Sequence, residues 1–307
     1  MTPAPLHAEV ADGPPGGRAV WLTASDGVRI RAGHWPGGSR GTVVIVPGRT
    51  ECIEKYGRVA ADMVAAGYHA VVIDVRGQGL AARLLADPMV GHVGSFLDYF
   101  KDMQALLPLL DDLPQPRFLL AHSMGGLIAL RALHEGFPVV RAAFSAPMWG
   151  IRFARGMAPL ARGVAGIANL FGRGGSYAPG TGPATYLVAA PFKDNTLTTD
   201  EATWGWMKRQ VVAHPELSLG GPSFHWVQAA LAECRTLMRR PAPDVPALAI
   251  LGSAEKIVDA QAIHRRMSTW PGSRLMILPG AEHEVLMEAP RLRGEAIRAI
   301  LEHFAAA

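Results

Sequence analysis

The sequence predicts an α/β fold with a mostly parallel central sheet and helices on both faces. Three observations carry this. Short, continuous apolar runs recur, such as Gly41-Thr-Val-Val-Ile-Val46 and His69-Ala-Val-Val-Ile-Asp74, as strands covered on both faces require. Stretches of helical periodicity separate them, and such alternation implies parallel strands with right-handed crossovers. The stretch Phe118-Leu-Leu-Ala-His-Ser-Met-Gly-Gly-Leu-Ile-Ala-Leu130 reads as strand, tight turn and helix, with Ser123 at the apex. Such a turn lifts a hydroxyl clear of the sheet and aims a helix N-terminus at it.

In chain order, residues 1–17 are rich in Pro and Gly and are expected to form a loose tail. Residues 19–22 and 28–35 read as strands joined by the turn Ser25-Asp26-Gly27. The strand ending at Val46 runs into Pro47-Gly48-Arg49-Thr50, and a helix over 59–66 stops at Gly67. Helical spacing of Leu97, Phe100, Met103, Leu106, Leu107 and Leu110 predicts a helix over 96–113, kinked at Pro108. After the Ser123 turn come a strand at 139–145, strands at 245–251 and 274–278 with a helix between them, and a closing helix over 289–304.

Between Pro147 and Pro241 the alternation stops. This part is expected to be a cap (lid) inserted into a core of residues 18–146 and 242–307. It carries 10 of the 22 aromatic residues, and 10 basic against 5 acidic side chains. Aromatic clefts suit apolar ligands; an aromatic core within the cap is the competing reading. Residues 151–168 form a candidate amphipathic segment, weakened by Pro159 and three glycines.

The chain has 307 residues, 49% hydrophobic and 18% charged, which describes a globular protein near the size where insertions appear. No apolar run approaches the roughly 18–20 residues of a spanning helix, and residues 1–7 lack the features of a secretory signal. Cys52 and Cys234 read as free thiols in a reducing compartment. A cytoplasmic location is therefore expected. The net charge of +4 comes with no basic stripe interleaved with stacking aromatics, which argues against a nucleic-acid partner. The basic excess at 147–241 fits either an anionic head group or the inner membrane face, touched transiently, or simply a solvated face.

A serine hydroxyl becomes a nucleophile when a base takes its proton and a third group orients the base. In this topology the chain order is serine, acid, histidine, each at a strand's end. Of the histidines, only His283 and His303 follow the last strand; His303 falls in the closing helix and His283 in the loop directly after the strand. His283 is therefore the candidate base. Glu255 and Asp259 both follow the strand ending at Leu251. Glu255 is favoured as the acid, with Asp259 the runner-up and a helix cap. The oxyanion requires two preorganised N–H donors, assigned to the backbone of Met124 and of Arg49. His122 is assigned to packing, and Glu282, Glu284 and Glu288 to solvated or supporting charges.

These stretches together resemble the α/β-hydrolase fold, and within it the bacterial lysophospholipase and monoacylglycerol lipase group. The resemblance rests on Pro47-Gly48, Asp74-Val-Arg-Gly-Gln-Gly79, Gly91-His-Val93, Leu120-Ala-His-Ser-Met-Gly-Gly126, Ser145-Ala-Pro-Met148, Gly252-Ser-Ala-Glu255 and Gly280-Ala-Glu-His283. In the cap it is patchy, as at Gly221-Pro-Ser-Phe-His-Trp226. Glu255 stands where the family has Asp, and Pro47 where it has His. The resemblance implies hydrolysis of a single-acyl lipid ester through an acyl-enzyme, without cofactor or metal. A serine aminopeptidase or amidase on the same fold is the alternative, and a non-catalytic ligand-binding homologue a further one. A serine at the turn argues against epoxide hydrolase or dehalogenase chemistry, which uses a carboxylate there.

Overall fold

The computed structural model describes residues 1–152 and 157–307, with side chains described outside 153–162. The described strands are β1 (Thr2–Ala4), β2 (Arg18–Thr23), β3 (Arg29–Trp35), β4 (Thr42–Val46), β5 (His69–Asp74), β6 (Arg117–His122), β7 (Arg141–Ser145), β8 (Ala247–Gly252) and β9 (Arg274–Leu278). They form one sheet in the order β1-β2-β3-β5-β4-β6-β7-β8-β9. From β5 to β9 every pairing is parallel; β1, β2 and β3 add an antiparallel edge. β4 and β6 are buried along their whole length, as their apolar runs over 43–46 and 118–121 require. The chain leaves β4 toward β5 and returns to β6 on the other side of β4. At such a switch point the carboxyl ends of adjacent strands diverge and leave a crevice. Val46 pairs with Ala121 at that point, so the turn after β4 lies beside Ser123.

Helices α1 (Ala8–Ala11), α2 (Gly57–Ala65), α3 (Phe96–Ala105), α4 (Leu107–Asp111) and α5 (Met124–His134) precede the insertion. The predicted helix over 96–113 is two helices. Pro108 lacks an N–H and fits the first turn of α4, so the chain re-nucleates there instead of bending. Ser95 and Asp98 form a reciprocal capping box at the start of α3.

The expectation of a loose tail over residues 1–17 is corrected. β1 pairs antiparallel with β2, and Arg31 donates to Pro5 O at 2.9 Å. Val10 O accepts from Trp206 Nε1 at 3.1 Å and Gln210 Nε2 at 2.9 Å. The glycines that read as flexibility make room: a Cβ on Gly13 or Gly17 would fall 2.6 or 2.3 Å from Trp35 Nε1. Composition marks this segment as loose because its anchors lie far away in sequence.

Residues 147–241 contribute α6 (Met157–Leu170), α7 (Tyr186–Ala189), α8 (Glu201–Ala213) and α9 (Phe224–Arg239), and no strand among the described residues. Of the candidate amphipathic segment, 153–156 lie outside the described residues. The large rings here join the main cores. Trp149 and Trp226 pack with Phe96 and Phe144 on one face of the sheet. Trp204 and Trp206 pack with Ile53 and Tyr56 on the other. Arg131 on α5 and Glu233 on α9 form a buried two-point ion pair at 2.6 and 2.8 Å. Helices α10 (Ala260–Met267) and α11 (Pro290–Ala305) complete the chain. No helix among the described residues is long and apolar enough to cross a membrane. Both cysteines are buried free thiols.

Candidate active site

Ser123 sits between β6 and α5 with φ 50° and ψ −118°. A non-glycine residue holds such angles at a cost of about 1–3 kcal/mol, and only where neighbours over-determine it. Here Ser123 N–H donates to Ser145 O at 3.0 Å, and Ser123 O accepts from Gly126 N–H at 2.9 Å and Met148 N–H at 2.8 Å. Gly125 is dictated by close approach: a Cβ there would lie 2.1 Å from Val46 O. The turn therefore needs small residues around the serine, and Ala121, buried in β6, satisfies this on the strand side.

The Ser123 hydroxyl lies 2.9 Å from His283 Nε2, and His283 Nδ1 lies 2.7 Å from Glu255 Oε2. All three residues are buried. The other oxygen of Glu255 accepts from the amides of Ile257 at 2.5 Å and Val258 at 3.0 Å. Burial pushes the Glu255 carboxyl up, but the hydrogen bond and charge of His283 and these two amides outweigh it, so it lies below the usual glutamate value. The longer arm of glutamate is held at both ends of its carboxylate.

Asp259 lies elsewhere. It caps α10, accepting from Gln261 N–H at 3.0 Å. It lines a separate cavity of about 450 Å³ beside Arg265 and Trp149. Met124 is the first residue of α5, where amides have no intrahelical acceptor. In the turn after β4, the Gly48 amide donates to Glu51 and the Thr50 amide to Gln78 Oε1 at 2.7 Å. Among the described residues that leaves the Arg49 amide unused. Gln78 also donates to Gly48 O at 2.9 Å, clamping the turn from both sides.

A buried charge cluster forms the wall behind this turn. Lys55 Nζ lies 2.6 Å from Glu51 Oε1 and also pairs with Glu284. Tyr56 donates to Glu51 Oε2 at 2.7 Å. Burial opposes the Lys55 charge, but the two glutamates overcome it and raise its pKa. Glu51, His122 and Glu284 approach closely enough to share a cation, and the Lys55 ammonium supplies that positive charge. The cluster links the turn after β4 to the residue following His283.

His122 does more than pack. Its Nδ1 lies 3.0 Å from both Ser145 O and Ser145 Oγ, and its ring centroid is 4.9 Å from that of His283. Burial lowers its pKa to about 3 despite the opposing charge of Glu51, so it stays neutral. Of the acids flanking His283, Glu284 and Glu288 are buried and take the supporting role, while Glu282 is part-exposed beside Lys256. Glu284 is in the ion cluster, and Glu288 accepts from the amides of Glu282 at 2.7 Å and Thr199 at 3.0 Å.

The segment around Thr196 and Leu197 grips the His283 loop directly. His283 N–H donates to Thr196 O at 3.3 Å and Glu284 N–H to Leu197 O at 2.8 Å. Asn195 folds that segment by accepting from the amides of Leu197 and Thr198. A cavity of about 340 Å³ opens onto Ser123 and His283. Met148, Ile151, Tyr186, Leu187, Leu197, Trp226, Ile257 and Val258 give it an apolar lining, and Arg49, Glu51, Lys55 and Glu284 are the charged residues in its walls.

A family model described as "Serine aminopeptidase, S33" matches residues 37–290. Lysophospholipase L2 of Escherichia coli strain K12 is 35% identical over 291 residues, covering 90% of this chain and 83% of that one. A probable lysophospholipase L2 of Haemophilus influenzae is 30% identical over 269 residues, covering 86% and 83%. This chain belongs to that family of α/β-hydrolases, together with the lysophospholipase L2 relatives. As a member it is a carboxylic-ester hydrolase. The fold is shared more widely. A soluble variant of monoglyceride lipase from Saccharomyces cerevisiae superposes with a TM-score of 0.75 at 19% identity, over 96% of this chain and 98% of that one. A carboxyl esterase from Bacillus coagulans does so with 0.74 at 16%, over 94% and 98%.

Sequence reasoning missed Glu51, Lys55 and Asn195. Their local contacts are ordinary, and their role comes from what these contacts hold against the distant His283 loop, which no local spacing marks. The one available signal was the charge density of Glu51-Cys-Ile-Glu-Lys55 directly after a strand-end turn.

Proposed function

We propose that this α/β-hydrolase cleaves carboxylic esters of single-acyl lipids, of the lysophospholipid or monoacylglycerol type, through an acyl-enzyme on Ser123. The observation that carries this is the unbroken hydrogen-bond relay from Ser123 Oγ through His283 to Glu255, at 2.9 and 2.7 Å. His283 Nε2 takes the hydroxyl proton as Oγ bonds to the acyl carbon. The Met124 and Arg49 amides hold the resulting oxyanion. Collapse breaks the carbon–oxygen bond to the alcohol, which leaves with the proton from His283. Water then attacks the acyl-serine, again giving its proton to His283, and the fatty acid departs as Ser123 recovers its own. Glu255 orients the imidazole and offsets its charge during both halves.

Residues 147–241 act as the cap over this cavity. The apolar lining suits an acyl chain, and the lysophospholipase names of the relatives agree with it. An aminopeptidase would need a free carboxylate for the substrate amine. Both glutamates in the cavity wall are engaged by Lys55, which favours the ester reading. Val164, Ile167 and Leu170 are exposed at helical spacing along α6, with Phe171 exposed directly after it. That ridge supports transient contact of the cap with a lipid surface.

A fluorophosphonate probe tests the mechanism. Labelling at Ser123 is expected, with loss of ester turnover in Ser123→Ala. A folded protein that takes no label, or full activity in the alanine variant, overturns the reading. A panel of lysophospholipids, monoacylglycerols and p-nitrophenyl esters then ranks the substrates.

A further inference from the structure

Among the charged side chains in the cavity wall, Arg49 stands apart. Glu51, Lys55 and Glu284 pair with one another. Arg49 has no carboxylate partner among the described residues, and residues 153–162, whose side chains are not described, contain no acid. Its one protein acceptor among the described residues is Gly220 O, 2.8 Å from Nη1. Its guanidinium carbon lies 5.7 Å from the Trp226 ring centroid. Gly91 lets it through, since a Cβ there would lie 3.1 Å from Nη1. Burial pulls the guanidinium down to about 10, with only the Tyr99 phenol acting the other way, so it remains charged at neutral pH. A part-buried cation held in an enzyme cavity by one neutral carbonyl lacks the counter-charge that its surroundings call for.

We propose that the Arg49 guanidinium is the phosphate-binding group of this site, seating the phosphodiester of a lysophospholipid whose acyl carbonyl faces the amide of the same residue. The inference rests on the ester-hydrolase reading above and selects within it. In a lysophospholipid the three-carbon glycerol unit separates ester from phosphate, so one substrate spans the backbone and the side chain of one residue. The planar fork of arginine matches phosphate oxygens in pairs. A monoacylglycerol carries no charge at that end and leaves the guanidinium uncompensated. A binding site that donates to an absent partner discriminates against the analogue. If Arg49 served only to pin the loop at Gly220, its loss would affect both substrates alike.

The test compares 1-lauroyl-lysophosphatidylglycerol with 1-monolauroylglycerol, each below its critical micelle concentration, in the full chain. The readout is the ratio of the two kcat/KM values, which cancels any common effect on the oxyanion turn. Arg49→Met is expected to lower the ratio about 10- to 100-fold, with partial recovery in Arg49→Lys, which restores the charge without the fork. An unchanged ratio overturns the proposal. A second measurement leaves Arg49 intact, so misfolding of a variant cannot obscure the result. Glycerophosphoglycerol is expected to compete with a p-nitrophenyl ester in the wild-type enzyme, and glycerol at equal concentration is not. Absence of competition also overturns it. A wild-type protein that hydrolyses no ester at all sinks the underlying reading instead.

Discussion

Two strand-end loops flank His283, and they use charge in opposite ways. The loop after β8 commits one carboxylate, Glu255, to one imidazole, and backbone amides four residues or fewer away finish the job. The segment after β4 distributes charge over Glu51, Lys55 and Glu284, whose outermost members are over 200 positions apart in the chain. The first arrangement is local and directional, as the proposed proton transfer requires. The second is a closed cluster, two carboxylates around one ammonium, that fixes two loops against each other. Burial alone does not distinguish them, since both sets of carboxylates are inaccessible. In the proposed mechanism, what distinguishes them is whether the partner is a group that changes charge during turnover.

The largest expected effect lies in the β8 loop. Glu255→Gln should lower kcat by about 10⁴ on the serine-protease precedent, with the fold retained by circular dichroism. Asp259→Asn should stay within a few-fold of wild type. The reverse outcome would exchange the roles of the two acids.

The β4 cluster should answer in stability. Lys55→Met leaves two carboxylates buried without their cation, and removing one partner of a buried pair costs about 3–5 kcal/mol. Urea unfolding is the check. Without the ammonium, each carboxylate raises the pKa of the other, so the loss should be larger at pH 8 than at pH 5. A variant as stable as wild type would mean the cluster does not hold the loops.

His122 gives the smallest effect. Its folded value of about 3 lies below the ordinary 6.5. Between those values the unfolded chain binds a proton that the folded protein does not, so stability falls as pH drops below about 6.5. One such histidine contributes at most about 1.4 kcal/mol per pH unit. His122→Gln should flatten the acid limb by that slope relative to wild type. An identical slope would place a charged His122 in the fold.

The same contrast explains what the sequence could reveal. β4, β5 and β6 are buried on both faces, so their apolar runs identified them without ambiguity. Ser123, His283 and Glu255 were reachable because each follows its own strand, and position relative to a strand end can be read locally. Lys55 and Asn195 could not be reached this way, since an ion pair or a clamp is defined by its partner. Pro108 misled for a related reason. A proline within an apolar period looks like a kink, and only the backbone shows that a second helix begins there. The Gly-rich stretch before β2 misled most, because glycine next to an indole ring and glycine in a free chain look alike in composition.

The seating of α1 also sets an order in time. Val10 O finds its two donors on Trp206 and Gln210, 196 and 200 positions further along the chain. During synthesis, residues 8–11 must therefore wait through most of translation before their docking site exists. Their protection from hydrogen exchange would appear only once α8 has docked, which makes this short helix a timer for completion of the whole molecule.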